Sequence, residues 1–331
     1  MRHLTITTFG CFIGLESKRL VVKEKDKVIG EYPIARLKTV QVAASGVSFS
    51  SNLLYELSLR GISFFVLDFK SIPVLVLSGT QQHAVVELRK HQFQFSESNK
   101  VPELCQKIIL GKLKNQRSVL LYFSKSQNIN LKNSESIQKG VLSLENTIQE
   151  LKSADWLANS NWRERLLGTE GGGAHIYWNT LRESDLFPDS FEARKGRGAS
   201  DIVNQALNLG YSILMSYIWN AVIKSGLEPY LGFFHVVRPG KPSLILDIME
   251  EYRAWVVDRS VIKLRHLLEK EKTLTPEIKK RVIEEIHETF SKTYPFYGKK
   301  LKLETMLQRQ VYRLCGFIYG KKKYKAISFK W

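Results

Sequence analysis

The strongest constraint on how this chain can fold is a change of hydrophobic period between residues 92 and 100. Before it lie short segments rich in Ile, Val, Thr and Phe, broken by Gly and charged turns: HLTITTFG, CFIGLESKRLVVKE, KVIGEYPI, LKTVQVAA, ISFFVLDF and IPVLVLSG. That is strand patterning. One helix interrupts it: in SSNLLYELSLRG, Ser51 or Asn52 can cap, Leu53, Leu54 and Leu57 form an apolar stripe, and Gly61 ends the helix. After residue 100 the apolar residues recur every 3.6 positions, as in ELCQKIILGKLKNQRSVLLYF and ASDIVNQALNLGYSILMSYIWNAVIKSG. The expected architecture is therefore α+β in two domains. A small β-sandwich with one short helix occupies residues 1–92, and an all-α domain occupies residues 93–331.

Charge narrows the function. The chain has 331 residues with 50 Lys+Arg against 32 Asp+Glu, a formal +18, on an ordinary apolar content of 44%. A globular chain this basic is expected to face a polyanion, above all nucleic acid. Six basic residues and no acid fall between Leu104 and Ser134, including Lys112 and Lys114. EARKGRG places Arg194, Lys195 and Arg197 in a Gly-flanked loop. From Tyr297 to Trp331 there are ten basic residues and one acid, and the final GKKKYKAISFKW mixes lysines with Tyr324, Phe329 and Trp331. Lysines suit phosphates, and such aromatics can stack on bases or simply belong to a solvated tail. No apolar run approaches the roughly 18 residues needed to span a bilayer. Cys11, Cys105 and Cys315 are isolated, which supports neither disulfides nor a zinc-thiolate site. A cytoplasmic, non-membrane protein is expected.

The chemistry-bearing residues are few. TEGGGAHIYW sets Glu170 before three glycines, each about 1 kcal/mol worse than Ala inside a helix. They fit a turn, a helix end or a close approach to the backbone. No GK[ST] follows them, so they are not a P-loop, and no GxSxG exists elsewhere. In PYLGFFHVVRPGKPSLILDIMEEYRAW, His235 precedes a Pro-Gly turn and Ser243 can cap the next helix. On that helix Ile245, Met249, Tyr252 and Val256 share a core face, with Asp247, Glu250, Glu251 and Asp258 roughly opposite. Separately, each of these acids reads as solvated surface and His235 as a core or turn histidine. Together, Glu170, His235, Glu250 and Asp247 make a reasonable site for Mg²⁺ or Mn²⁺, which can neutralise a phosphate and activate a hydroxyl or water.

Several of these blocks, in order, resemble the CRISPR-associated integrase family of spacer acquisition, the first-numbered Cas protein. They include TFGCFIG, KRLVVKE, GVSFSSNLLYELSLRGISFFVLD, KLKNQRSVLL, TEGGGAHIYW, DIVNQALNLGYSIL, GLEPYLGFFHVVRPGKPSLILDIMEEYR and VVDRSVIKL, so the resemblance runs essentially end to end. It implies a homodimer built through the N-terminal β-sandwich and a helical catalytic domain. It also implies a small ferredoxin-like partner, the whole complex holding double-stranded DNA. The activity implied is joining of 3′-hydroxyl ends of short DNA fragments to the CRISPR repeat by transesterification, with Glu170, His235 and Glu250 as metal ligands and Asp247 lining the site. Arg194, Lys195 and Arg197 lead the candidates for DNA contact, with Lys112 and Lys114 next. The family usually has two prolines between the position of Arg197 and that of Asp201; here Gly198, Ala199 and Ser200 intervene. Two other readings share the composition: a non-specific metal-dependent nuclease, and a DNA-binding scaffold without catalysis.

Overall fold

The computed structural model describes residues 3–69, 71–79, 86–125, 131–196 and 198–329. Strands come first and helices after, in a mixed α+β fold. The strands are β1 (His3–Ile6), β2 (Phe12–Glu16), β3 (Arg19–Glu24), β4 (Lys27–Pro33), β5 (Thr39–Val42) and β6 (Ser48–Phe49), then β7 (Ser63–Leu67) and β8 (Pro73–Leu77) after helix α1 (Ser51–Leu59). They form two four-stranded sheets, ordered β4-β3-β2-β6 and β1-β5-β7-β8. Leu4, Val40 and Phe64 from one sheet and Ile13, Leu20 and Val22 from the other meet Leu53 and Leu57 of α1 in one apolar cluster.

The sandwich expectation needs amending in one respect. β1, β5 and β7 pair in parallel, because the β2–β4 meander and then β6 with α1 form the crossovers between them. CFIGLESKRLVVKE is also a hairpin rather than a single segment: Ser17 and Lys18 both adopt positive φ, as do Lys25 and Asp26 at the next turn. Neither pair contains the Gly or Asn that normally advertises such a turn. Ser50, not Ser51 or Asn52, caps α1 by accepting the Leu53 amide at 3.3 Å.

The helices are α2 (Val86–Ser96), α3 (Val101–Ser124), α4 (Leu131–Lys152), α5 (Trp162–Glu183), α6 (Ile202–Ser225), α7 (Ser243–Met249), α8 (Arg259–Lys263), α9 (Arg265–Leu268), α10 (Pro276–Ser291) and α11 (Leu303–Ile318). A π-helical stretch, Arg253–Asp258, leads from α7 to α8. A second apolar cluster runs through these helices and already includes Leu88 of α2, which begins before the expected division at residue 92. The all-α expectation is corrected by a hairpin of β9 (Thr293–Phe296) and β10 (Lys299–Lys302), closed by Tyr297 and Gly298 at positive φ.

α6 forms the axis of this half. Asp201 caps it through the Asn204 amide at 2.8 Å, and Gly226 ends it in the left-handed conformation. Contrary to the sequence expectation, it is long and apolar enough to cross a membrane by length and composition, but 83% of that stretch is buried inside the protein. It behaves as a core helix. Its Ser212 and Tyr217 also touch the strands: Gln41 of β5 donates to Ser212 Oγ at 3.3 Å, and His3 of β1 stacks on Tyr217 at 3.6 Å.

Candidate active site

Glu170 lies in the middle of α5, so the three glycines neither turn the chain nor end the helix. Burial explains why the helix survives them. Leu166, Tyr177 and Leu181 are completely buried along one side, each contributing about 1.5–3 kcal/mol against about 1 kcal/mol lost per glycine. The glycines also have different surroundings. A Cβ at Gly173 would lie 2.3 Å from Leu113 of α3, so that glycine lets the two helices close together. Gly171 and Gly172 face open space beside Glu170, leaving bare backbone there.

His235 lies on the loop between α6 and α7, and three elements hold that loop. Gln92 of α2 donates to the carbonyls of Glu228 and Leu231 at 3.1 and 2.9 Å and accepts the Glu228 amide at 2.8 Å. Arg163 of α5 donates to the carbonyls of Phe233 and Phe234 at 2.7 and 2.6 Å. Asp247 of α7, fully buried, accepts the amides of Phe233, Phe234 and His235 at 2.5, 3.0 and 2.9 Å. Gly232 makes this last contact possible, since a Cβ there would stand 2.6 Å from the Ser243 backbone and 2.8 Å from Asp247 Oδ2. Ser243 does not cap α7 as expected; its hydroxyl donates to the Val236 carbonyl at 3.1 Å, tying the loop down.

Asp247 also meets His235 Nδ1 at 2.8 Å. A carboxylate only accepts, so Nδ1 carries the proton and Nε2 presents its lone pair. Asp247 is thus an orienting group behind the imidazole, with both oxygens engaged.

The acids on the Ile245–Asp258 segment are not a solvated helix face. Asp247, Glu250, Glu251 and Asp258 are all buried. α7 stops at Met249, and the following turn and π-helical stretch direct these side chains to different places. Glu250 meets Glu170 at a single cation. The Lys112 ammonium, from α3, pairs with the Glu170 carboxylate and lies 2.6 Å from Glu250 Oε2. Arg253 donates to Glu250 Oε1 at 2.9 Å. Burial opposes the charge on Glu250, but Arg253, Lys112 and His235 together hold its carboxyl down at about 2. Burial likewise opposes the Lys112 charge, and Glu250 and Glu170 overcome it, holding its pKa above the usual lysine value.

The candidate DNA-contact residues fall into different settings. Lys112 is an interior residue between two carboxylates, not an exterior one. Lys114 is half-buried, and burial together with Lys152, Lys325 and Arg117 pulls its pKa down, which marks a local excess of positive charge. Arg194 is anchored on α6, donating to Asn204 and Asn208 at 2.9 and 2.8 Å, while its guanidinium stands 5.0 Å over the Tyr211 ring. Lys195 is exposed and paired with Glu192 at 3.1 Å. Arg197 and Trp331 lie outside the described residues.

Does this donor set suit a divalent metal ion? Among the described residues, no three His, Cys, Asp or Glu side chains group as a ready metal site. Two carboxylates nevertheless share one cation, the Lys112 ammonium standing 2.6 Å from the buried Glu250 Oε2 and paired with Glu170. The His235 imidazole, held by Asp247 through Nδ1, supplies a nitrogen donor whose electrostatic influence reaches Glu250. Oxygen and imidazole donors of this kind suit Mg²⁺ or Mn²⁺, with Lys112 holding the position between the carboxylates.

Residues 4–288 match the family described as CRISPR associated protein Cas1. The chain belongs to the Cas1 family. A protein of Francisella tularensis subsp. novicida (strain U112), named CRISPR-associated endonuclease Cas1 1, is 47% identical over 100% of both chains. Among solved structures, a casposase bound to integration product is similar with a TM-score of 0.83 at 20% identity, covering 100% of this chain and 95% of that one. A Cas6-RT-Cas1–Cas2 complex gives 0.80 at 20% identity, covering 99% of this chain and 36% of that one. At these identities the structural likeness shows the fold alone.

This Cas1-family chain also has site residues that the sequence patterns did not single out. Tyr211 of α6 lies between two guanidinium groups, Arg194 at 5.0 Å and Arg253 at 4.9 Å, and donates to Asp258 at 2.5 Å. With Lys112 and Glu250 they line a cavity of about 140 Å³. Arg253 had a weak signal, being three residues after Glu250. Tyr211 had none, because a tyrosine in an apolar helix reads as core.

Proposed function

We propose that this chain is a metal-dependent DNA integrase and endonuclease of CRISPR spacer acquisition. It joins 3′-hydroxyl ends of short DNA fragments to the CRISPR repeat by transesterification. The observation that carries this reading is the meeting of Glu170 and Glu250 at one cation position, Lys112, with an imidazole oriented by Asp247 exerting its influence on Glu250. The full-length identity to a protein named as a CRISPR-associated endonuclease supports it, as does a fold shared with a casposase bound to integration product. A homodimer working with a small ferredoxin-like partner on double-stranded DNA is part of the proposal, and the Cas2 component of the similar complex supports a Cas partner.

In this reading Glu170, His235 and Glu250 would hold Mg²⁺ or Mn²⁺. When bound, the ion neutralises the attacked phosphate and lowers the pKa of a hydroxyl or water. Asp247 keeps the proton on Nδ1, so that Nε2 stays a ligand. Arg194 and Arg253 form a fixed cationic wall for the phosphate chain. The fragment's 3′-oxygen forms a bond to phosphorus, a 3′-oxygen of the target leaves, and the attacking hydroxyl's proton ends on the leaving oxygen. One P–O bond forms as one breaks, so no energy source is needed. Water in place of the hydroxyl gives cleavage instead.

A branched-DNA disintegration assay with and without Mn²⁺ tests this. Wild-type protein resolves the branch only with metal, and Glu170→Ala and His235→Ala do not. Full rates in either variant overturn the site. Cleavage with no joining points to the nuclease reading, and DNA binding with no product and no response to EDTA points to the scaffold.

A further inference from the structure

The final GKKKYKAISFKW reads as a charged tail whose aromatics are free for bases. The structure buries Tyr324 and Phe329. After α11, Gly320 adopts φ +71° and the chain doubles back without regular secondary structure. Tyr324, Ile327 and Phe329 are all buried, and Phe329 stacks on Trp255 with ring centroids 5.3 Å apart.

One face of α3 receives this segment. Asn115 Nδ2 donates to the Ile327 carbonyl at 2.9 Å, and its Oδ1 accepts the Phe329 amide at 2.9 Å. Ser118 donates to the Phe329 carbonyl at 3.0 Å. Gly111 admits Ala326, whose Cβ would be 2.6 Å from one added at Gly111. The other side of the tail grips Glu251. Its carboxylate accepts the Tyr324 hydroxyl, the Ile327 amide at 2.7 Å and Gln310 Nε2 at 3.3 Å. The Glu251 carbonyl accepts Asn115 Nδ2 at 2.7 Å, which closes the ring of contacts.

Glu251 directly follows Glu250, and Lys112 directly follows Gly111. Glu250 itself ends α7, ahead of a turn and the π-helical stretch, so no continuous α-helical ladder fixes its backbone. Its amide donates to the Asp247 carbonyl at 3.3 Å, and the contacts on its neighbour Glu251 tie the same turn to α3.

We propose that residues 321–329 form a positioning strap, which clamps the Glu250–Glu251 turn to α3 and so sets Glu250 opposite Glu170. Its catalytic consequence rests on the function proposed above; the positional claim rests on the contacts alone. Tyr324, Glu251 and Asn115 are positioning residues, since they act through Glu250.

The test uses the full chain with Phe329→Asp and, separately, Phe329→Lys. Neither side chain can replace the ring stacked on Trp255 or fill its buried place, so both variants loosen the tail while changing its charge in opposite directions. Hydrogen exchange and steady-state DNA joining are measured together. Amides at Ile327 and Phe329 and across residues 249–256 should lose protection together in both variants, while β5 stays protected. Turnover at saturating DNA should fall by about tenfold or more in both, with half-saturation unchanged. Tyr324→Phe, which removes only one hydroxyl, should give a smaller fall of the same sign. The strap is overturned if the tail amides exchange freely while residues 249–256 and turnover stay as in the wild type. It is also overturned if the two variants differ by charge in half-saturation with turnover intact, the behaviour of a phosphate-binding arm. Should wild-type protein neither join nor cleave DNA, the proposed function fails, and exchange at 249–256 still decides the strap.

Discussion

At the scale of single residues, the structure gives neighbouring acids settings that their spacing does not show. Asp247 stood among a row of acids on a helix, and nothing in the spacing separated it from Glu250 or Glu251. The structure separates them by partner: Asp247 holds the His235 loop, Glu250 faces a cation, and Glu251 holds the C-terminal segment. Asp247→Asn keeps the size but loses an acceptor-only group, so the imidazole is no longer held with Nδ1 protonated. Mn²⁺ affinity and joining rate should each fall about 10–100-fold, read by calorimetry and the disintegration assay, with the chain still folded. Lys112 shows the opposite failure. It was grouped with surface lysines because basic runs commonly lie outside, but two carboxylates from other helices draw it inward.

At the scale of elements, α5 shows tertiary packing overriding propensity. Three consecutive glycines should weaken a helix, yet their own sequence cannot show that Leu113 waits across Gly173 while nothing faces Gly171. The two positions should respond in opposite directions. Gly173→Ala forces a methyl into Leu113 and should cost about 1–3 kcal/mol in urea denaturation. Gly171→Ala meets no neighbour and should gain about 0.5–1 kcal/mol from helix propensity. If DNA approaches this bare backbone, Gly171→Ala should also slow joining despite the gain in stability. The hairpin of β9 and β10 was missed for a related reason: YPFYGKKLK is too short for a clear period, and Tyr297 carries the positive φ in place of a second glycine.

At the scale of the whole molecule, a buried polar cluster joins the strands to the helices. His3 of β1 stacks on Tyr217 of α6 and lies 3.4 Å from Glu304 of α11, which also pairs with Lys38; Tyr217 bonds His287 of α10 at 2.7 Å. Burial, with nearby His3, pushes His287 down to about 3 from 6.5. The unfolded chain therefore takes up that proton first, and stability present above pH 6.5 is lost as pH falls towards 3. Burial opposes the charge on Glu304, but His3 and Lys38 bring it to about 2 from 4.5, so its contribution disappears between those values. Buried Glu251 and Asp258, raised to about 7 and about 6 by burial, act with the opposite sign over the same range, so the His287 share is read as a difference. In urea denaturation the stability of wild type relative to His287→Gln should fall by about 1–3 kcal/mol between pH 6.5 and pH 4.5. A difference that stays constant over that range would remove His287 from this role.

The sequence by itself determined the order of strands and then helices, the basic character of the exterior, and the identity of Glu170, His235 and Glu250 as the residues to watch. Period, composition and short motifs are local properties, so they survive in a linear reading. Only the tertiary structure decided that β1, β5 and β7 assemble into a partly parallel sheet, that Lys112 occupies the gap between two acids, and that the C-terminal segment is core rather than tail. These outcomes depend on partners tens to hundreds of residues away, such as Asn115 with Phe329, and on burial strong enough to override what each segment prefers alone.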